Sequence, residues 1–345
     1  MNDVDPLKIL VKKIKQCSIN NINQTDYSCF SKDDIMLLVN TYNDTFCKNN
    51  MKQCYKNKLI KLRNEYGERR STKQLYNILK KKLSKFNSKY KDEHTWIKID
   101  EFKNKFINRD NLFITKMPTE WCSNIKKWRE QQIEAPWLSN FDIDDVIIRY
   151  EHKYKNFKFL GSQPIDTRKK INGVCVLEIF SNDDERNNWL KKKNNNQYCS
   201  FKTNIYKNCD CFGIVFNTDD HRGSGKHWMG LYFNLKQKCI LFFDSAVTYP
   251  NLHKEVRGFI NDIKNEYKDI NFTVKYNNVH HQQSNSECGM YSIYFILTMV
   301  DADNHSSSSE NSIKVFDKYF NTQTNRISDK LMILYRSRFF LPCDN

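Results

Sequence analysis

The chain has 345 residues, with 56 Lys and Arg against 40 Asp and Glu, a net charge of +16, and 12 cysteines. That length buries a core without disulfide staples. No stretch approaches the ~18 apolar residues of a membrane span, and the start Met1-Asn2-Asp3-Val4-Asp5 lacks an apolar signal segment. A reducing compartment with mostly free thiols is therefore expected, and the charge points to an acidic partner, either nucleic acid or an acidic protein surface.

The charge is uneven: residues 51–110 hold 18 Lys and Arg against 7 Asp and Glu. Residues 1–115 read as helical, basic and poor in Gly and Pro. Ser31-Lys32-Asp33-Asp34 and Ser71-Thr72-Lys73-Gln74 are capping-box patterns. After the second, Leu75, Ile78, Leu79 and Leu83 recur at helical spacing among Lys80, Lys81, Lys82 and Lys85, which predicts a basic amphipathic helix. The first reading of it is an ordinary surface helix of a small bundle, and the alternative is a nucleic-acid or substrate-docking arm. Pro118 interrupts, and a boundary is expected within 110–135. This gives a basic helical arm over 1–115 and a second domain over 116–345.

The second domain opens near Trp137. Asn140 reads as an N-cap ahead of a helix with Ile143, Val146, Ile147 and Tyr150 on one face. Strands are predicted at Val174–Phe180 and Phe212–Phe216, a helix at 183–190 and a solvated loop at 191–196. His227–Asn234 and Cys239–Asp244 form a hairpin pattern across Leu235-Lys236-Gln237-Lys238, apolar on both faces and so central in a sheet. A helix over 254–268, a strand at Phe272–Tyr276, an apolar helix from Cys288, a polar loop at 301–311 and a C-terminal helix beginning near Asp329 complete the reading.

Cys288 follows a polar run and starts the apolar helix. A thiol there meets the positive end of the helix dipole, which favours thiolate, and Gly289 next to it leaves the backbone N–H open to a bound group. One cysteine among twelve is weak evidence alone, because buried inert Cys is the usual case. A nucleophilic Cys needs an imidazole and a group to orient it. A hairpin centred between Leu235 and Lys236 sets His227 opposite Asp244, where Cβ atoms lie about 4.5–5.5 Å apart. Gln282, Gln283 and Asn285 are candidate oxyanion donors beside the Cys288 N–H, and His280 and His281 compete as bases. Gly223-Ser224-Gly225-Lys226-His227 fails the P-loop pattern. Cys209 and Cys211 with Cys199 or Cys239 lack zinc-site spacing, so no metal or other cofactor is expected.

Taken together, His227-Trp228, Asp244-Ser245 seventeen residues on, and Gln282 six residues before Glu287-Cys288-Gly289 resemble the adenain and SUMO-protease clan of cysteine proteases. Gly223–Trp228, His281-Gln282, Glu287–Ser292, Arg326-Ile327-Ser328-Asp329 and Leu138–Asp144 are similar to the virion-maturation proteases of large DNA viruses, the African-swine-fever type and its giant-virus relatives. The resemblance covers roughly residues 135–340. It implies an α+β, papain-like or adenain-like core with a mixed central sheet flanked by helices, and a helical N-terminal arm. It implies a catalytic His227, Asp244 and Cys288 with Gln282 at the oxyanion, and groove walls at Trp228 and Trp137. Implied substrates are viral structural precursors cut at Gly-Gly-like sites in the virion or host cytoplasm. The alternatives are removal of ubiquitin-like modifiers from host proteins, and a nucleic-acid-binding structural protein whose basic arm contacts DNA.

Overall fold

The computed structural model describes residues 27–48, 59–103, 105, 115–116, 135–151, 153–171, 174–176, 208–246, 252–304, 310–322 and 326–341. They fall into two compact units, one within Pro118–Ser337 and a smaller one within Val11–Met117 joined by the residues from Arg338 onward.

In the smaller unit both capping signals start helices. Ser31 and Asp34 exchange side-chain and backbone bonds at α1, Lys32–Lys48, and Ser71 and Gln74 do so at α2, Thr72–Phe86. These bonds satisfy N–H groups that a helix start leaves orphaned. Leu75, Leu79 and Leu83 bury against Ile35, Leu38, Val39 and Trp96 in one cluster. Lys81 and Lys85 stay outside it and exposed. Cys29 is disulfide-bonded, an exception to the expected free thiols. Cys209, Cys211, Cys239 and Cys288 are free.

The larger unit is built on a mixed five-stranded sheet. Its strands are β1 (Phe157–Pro164), β2 (Cys211–Asn217), β3 (Trp228–Asn234), β4 (Cys239–Phe243) and β5 (Thr273–Tyr276), adjacent in chain order. The outer pairs β1–β2 and β4–β5 are parallel, and the inner pairs are antiparallel. Alternate residues leave on opposite faces. On one face Phe212, Ile214, Met229, Leu231, Ile240 and Phe242 pack with Val256, Phe259, Ile260 and Ile263 of α4, Lys254–Glu266; α3 is Asn140–Ile147.

The other face receives α5, Cys288–Asn304, in which every residue from Cys288 to Asp301 is buried. Burial on all sides explains why that helix is apolar all round. It lies close because Gly213 and Gly230 have no side chains. A Cβ on Gly230 would stand 2.6 Å from Phe295, and one on Gly213 2.8 Å from Ile296. Phe243 stacks on Phe295 with ring centroids 5.2 Å apart. The last helix, α6, is Asp329–Phe339.

Several expectations are corrected. Ser139, not Asn140, caps α3, through a box with Asp142. The helix from Cys288 runs to Asn304, so Asp301–Asn304 are not loop. β1 was not expected; a bulge between Phe159 and Ser162 breaks its alternation. The hairpin pairs Gly230 with Phe243 and Asn234 with Cys239, a register two residues away from the one that sets His227 opposite Asp244. The cause is the four-residue loop. Asn234 Oδ1 accepts from the N–H groups of Lys236 and Gln237, and Lys238 takes a positive φ of 52°. A slip of two preserves the face, as a slip of one would not.

Of the predicted strand 174–180, Val174–Cys175 pairs with Lys170–Ile171. Its remainder from 177, the helix 183–190 and the loop 191–196 lie outside the described residues, as does most of the expected boundary region.

Candidate active site

The sheet brings the candidate residues to one end. His227 immediately precedes β3 and Asp244 immediately follows β4. Those strands are antiparallel, so the start of one adjoins the end of the other. The ends of β1, β2 and β5 reach the same edge, and the chain leaving β5 leads to Cys288, the first residue of α5.

His227 Nε2 lies 2.6 Å from Asp244 Oδ1, and His227 is also hydrogen-bonded to Cys288. An imidazole has only two nitrogens. With Nε2 on the carboxylate, Nδ1 is the one left for sulfur. Burial works against the imidazolium, but the bonds to Asp244 and Cys288 and their charges outweigh it and raise the His227 pKa from 6.5 to about 10.

Asp244 is itself gripped. Its N–H donates to Asn277 Oδ1 at 2.9 Å, and Asn277 Nδ2 donates to its carbonyl at 2.7 Å and to that of Val279 at 3.0 Å. The N–H of Ala246 donates to Asp244 Oδ1 at 2.9 Å. Asn277 is buried and carries no signal in the sequence, because its partner lies 33 residues away.

The segment before Cys288 is pinned at several points. The Ser245 carbonyl accepts from the N–H groups of His281 and Gln282, both at 2.9 Å. Ser245 Oγ donates to Gln282 Oε1 at 2.7 Å, and Gln282 Nε2 donates to the Ser284 carbonyl at 2.6 Å. A primary amide has two N–H bonds, so one remains. Gln282 is buried, whereas Gln283 and Asn285 are exposed. Asp329 Oδ2 accepts from the N–H groups of Gln283 and Ser284, and its Oδ1 from Tyr291.

His281 is fully buried. Its Nε2 lies 2.9 Å from the Phe320 carbonyl, and its Nδ1 accepts from the Ile327 N–H. A carbonyl only accepts, so Nε2 carries the proton and the ring is neutral. Burial lowers its pKa to about 4, with the charges of Arg326 and His280 adding to the effect against the Phe320 carbonyl. Both nitrogens are committed, which removes His281 as a base. His280 is exposed. Glu287 is buried and paired with Arg336, whose Nε lies 2.8 Å from Oε2. Burial raises the Glu287 pKa, and Arg336 opposes that rise.

Cys288, Trp137, Leu138 and Trp228 line a cleft of about 300 Å³, with 162–164, 217, 219–221 and 223–226 contributing further wall. Trp228 Nε1 donates to the Leu138 carbonyl at 2.9 Å, while Trp137 is 53% exposed. Gly289 serves close packing: a Cβ there would sit 2.9 Å from Leu138. Among the described residues no group of His, Cys, Asp or Glu could hold a metal ion. No described helix is long and apolar enough to cross a membrane. The array therefore offers a sulfur nucleophile, an imidazole touching it, a carboxylate on that imidazole, and amide donors at a helix start.

Residues 177–332 match the Ulp1 protease family, C-terminal catalytic domain. The SUMO-1 cysteine protease of African swine fever virus is 28% identical over 232 residues, 63% of this chain and 75% of that one. A protein of Acanthamoeba polyphaga mimivirus, named as a thiol protease, is 28% identical over 185 residues, 51% of this chain and 52% of that one. A crystal structure of the African swine fever virus protease has a TM-score of 0.50 at 22% identity, covering 94% of this chain and 95% of that chain, a likeness of fold. None of these lends support to a nucleic-acid contact by the basic arm. The chain is a cysteine protease of α+β fold whose residues 177–332 are similar to the catalytic domain of the Ulp1 protease family.

Proposed function

We propose that Cys288 attacks the scissile peptide carbonyl while His227 takes the thiol proton. The tetrahedral oxyanion is held by the Cys288 backbone N–H and the remaining N–H of Gln282. Collapse breaks the C–N bond, and His227 returns the proton to the leaving amine. Water then adds to the thioester with His227 as base, releasing the acid and restoring the thiol. Asp244 keeps the ring oriented and offsets its charge. The observation that carries this reading is that His227 is bonded to Asp244 on one side and Cys288 on the other, with Cys288 on a cleft wall.

The substrate reading is a Gly-Gly-Xaa site. Trp137 and Trp228 line the Cys288 cleft, and in this reading they are the walls that select residues without side chains. Together with the viral relatives, this supports an endopeptidase that cuts structural precursors during virion maturation, acting in the virion or host cytoplasm, with residues 1–115 as an accessory arm to the 116–345 domain. Purified chain incubated with the virus's own capsid and core precursors tests it. Discrete products lost in Cys288→Ala support the reading; precursors left intact by the unaltered chain refute it. The family match and the name of the African swine fever virus relative favour a second reading, deconjugation of ubiquitin-like modifiers. Rapid release of free SUMO or ubiquitin from conjugates would put that reading first.

A further inference from the structure

A second histidine–carboxylate pair, besides His227 and Asp244, reaches the cleft through His221. Asp166 is 2% exposed at the turn after β1. It takes His221 at two points: its Oδ1 accepts from the His221 backbone N–H at 2.9 Å, and its Oδ2 lies 2.8 Å from His221 Nδ1. The turn that carries Asp166 is stitched to the loop that carries His221 by the bond from the Ile165 N–H to the Asp219 carbonyl, at 3.0 Å. The imidazole is thus fixed in position and rotation before any ligand arrives.

Its neighbours on that wall are occupied. Asn217 Oδ1 accepts from the N–H groups of Asp219 and Lys226. Asp219 accepts from the Gly225 N–H and pairs with Lys226, and Asp220 pairs with Arg222. His221 Nε2 has no hydrogen-bond partner among the described residues, and His221 lines the cleft that holds Cys288, Trp137 and Trp228. An ionised carboxylate only accepts, so Nδ1 carries the proton. In the neutral ring Nε2 therefore presents a lone pair.

We propose that His221, positioned by Asp166, is a specificity-determining residue that accepts a hydrogen bond from a substrate side chain bearing a donor, the hydroxyl of Ser or Thr or the ammonium of Lys. The pair stands apart from the bond-breaking machinery: its carboxylate is a different one, and its role is to choose the peptide. A preoriented acceptor rejects a residue without a donor because the ring nitrogen, once dehydrated, is left unpaired. The proposal rests on the protease reading above.

The test is a panel of Gly-Gly peptides in which Ser, Lys, Ala or Asp is placed in turn at each position near the scissile bond, with kcat/KM measured for each. At one position the unaltered enzyme should favour Ser or Lys over Ala by about tenfold, the worth of a hydrogen bond on the substrate. His221→Ala should reduce that ratio to about twofold or less, with the change carried in KM. Asp166→Asn, which lets the ring turn, should lower the same ratio. Cleavage with an undiminished ratio in His221→Ala overturns the proposal alone, as does a wild-type preference for Asp at that position. Failure of the unaltered chain to cleave any peptide overturns the protease reading and this proposal together. His221 is a loop residue at the cleft wall, so its substitution tests the idea even if Asp166→Asn fails to fold.

Discussion

Two imidazoles of one site region are held in opposite ways. His227 and His281 are both largely withdrawn from water, and burial alone would keep each neutral. His227 meets a carboxylate and a sulfur, and its pKa rises to about 10. His281 meets a carbonyl and a backbone N–H, and its pKa falls to about 4. The partners rather than the depth decide the charge. One ring is equipped to hold a proton during a reaction, and the other serves as a neutral peg that fixes the loop ahead of Cys288.

The largest expected effect comes from removing what distinguishes His227. Cys288→Ala should abolish peptide cleavage, by about 10⁴-fold or more. Asp244→Asn should lower kcat by about 10²–10⁴-fold. It should also bring the NMR-measured pKa of His227 well below about 10, toward the behaviour of His281. A His227 titration unmoved by this change would refute the account of its charge.

Next comes the ion pair of Arg336 with Glu287, the residue before Cys288. Arg336→Ala leaves the Glu287 carboxylate buried without its guanidinium, and denaturant unfolding should show a loss of about 3–5 kcal/mol. A loss below about 1 kcal/mol would mean that water reaches Glu287.

The two rings also tilt stability in opposite directions with pH. His281 has a folded pKa below its ordinary value near 6.5. Its contribution is present above about 6.5 and is lost as pH falls toward about 4. His227 has a raised folded pKa, so its contribution is complete below about 6.5 and is lost as pH rises through about 10. Thermal unfolding of His281→Gln should be less sensitive than the unaltered chain across pH 6.5 to 4 and unchanged in its alkaline limb. The smallest effect is expected from Ser245→Ala, which frees Gln282 Oε1. It should cost about 1 kcal/mol and less than tenfold in rate.

What the residues disclose in order is what repeats locally. The hairpin was legible because two apolar runs flank four polar residues, and its faces were legible because strand side chains alternate. Its register was not, because the Asn234 turn and the positive φ of Lys238 are decided by backbone geometry. Cys288 at a helix start could be read from the change from polar to apolar. The supports of the site could not. Asn277 reaches Asp244 across 33 residues, and Asp329 reaches Gln283 across 46. β1 is not legible because its bulge interrupts the period that marks a strand.

The clasp of Arg336 and Asp329 on the segment before Cys288 bears on the order in which the protein matures during its own synthesis. All five strands, His227, Asp244 and Cys288 leave the ribosome before α6 does. The sheet can form around its hydrophobic contacts as it emerges, since chains fold from the N-terminal side during translation. The loop holding Gln282 and Glu287 acquires its last anchors only when α6 arrives. The segment that leads into Cys288 is thereby fully anchored only once α6 has been made.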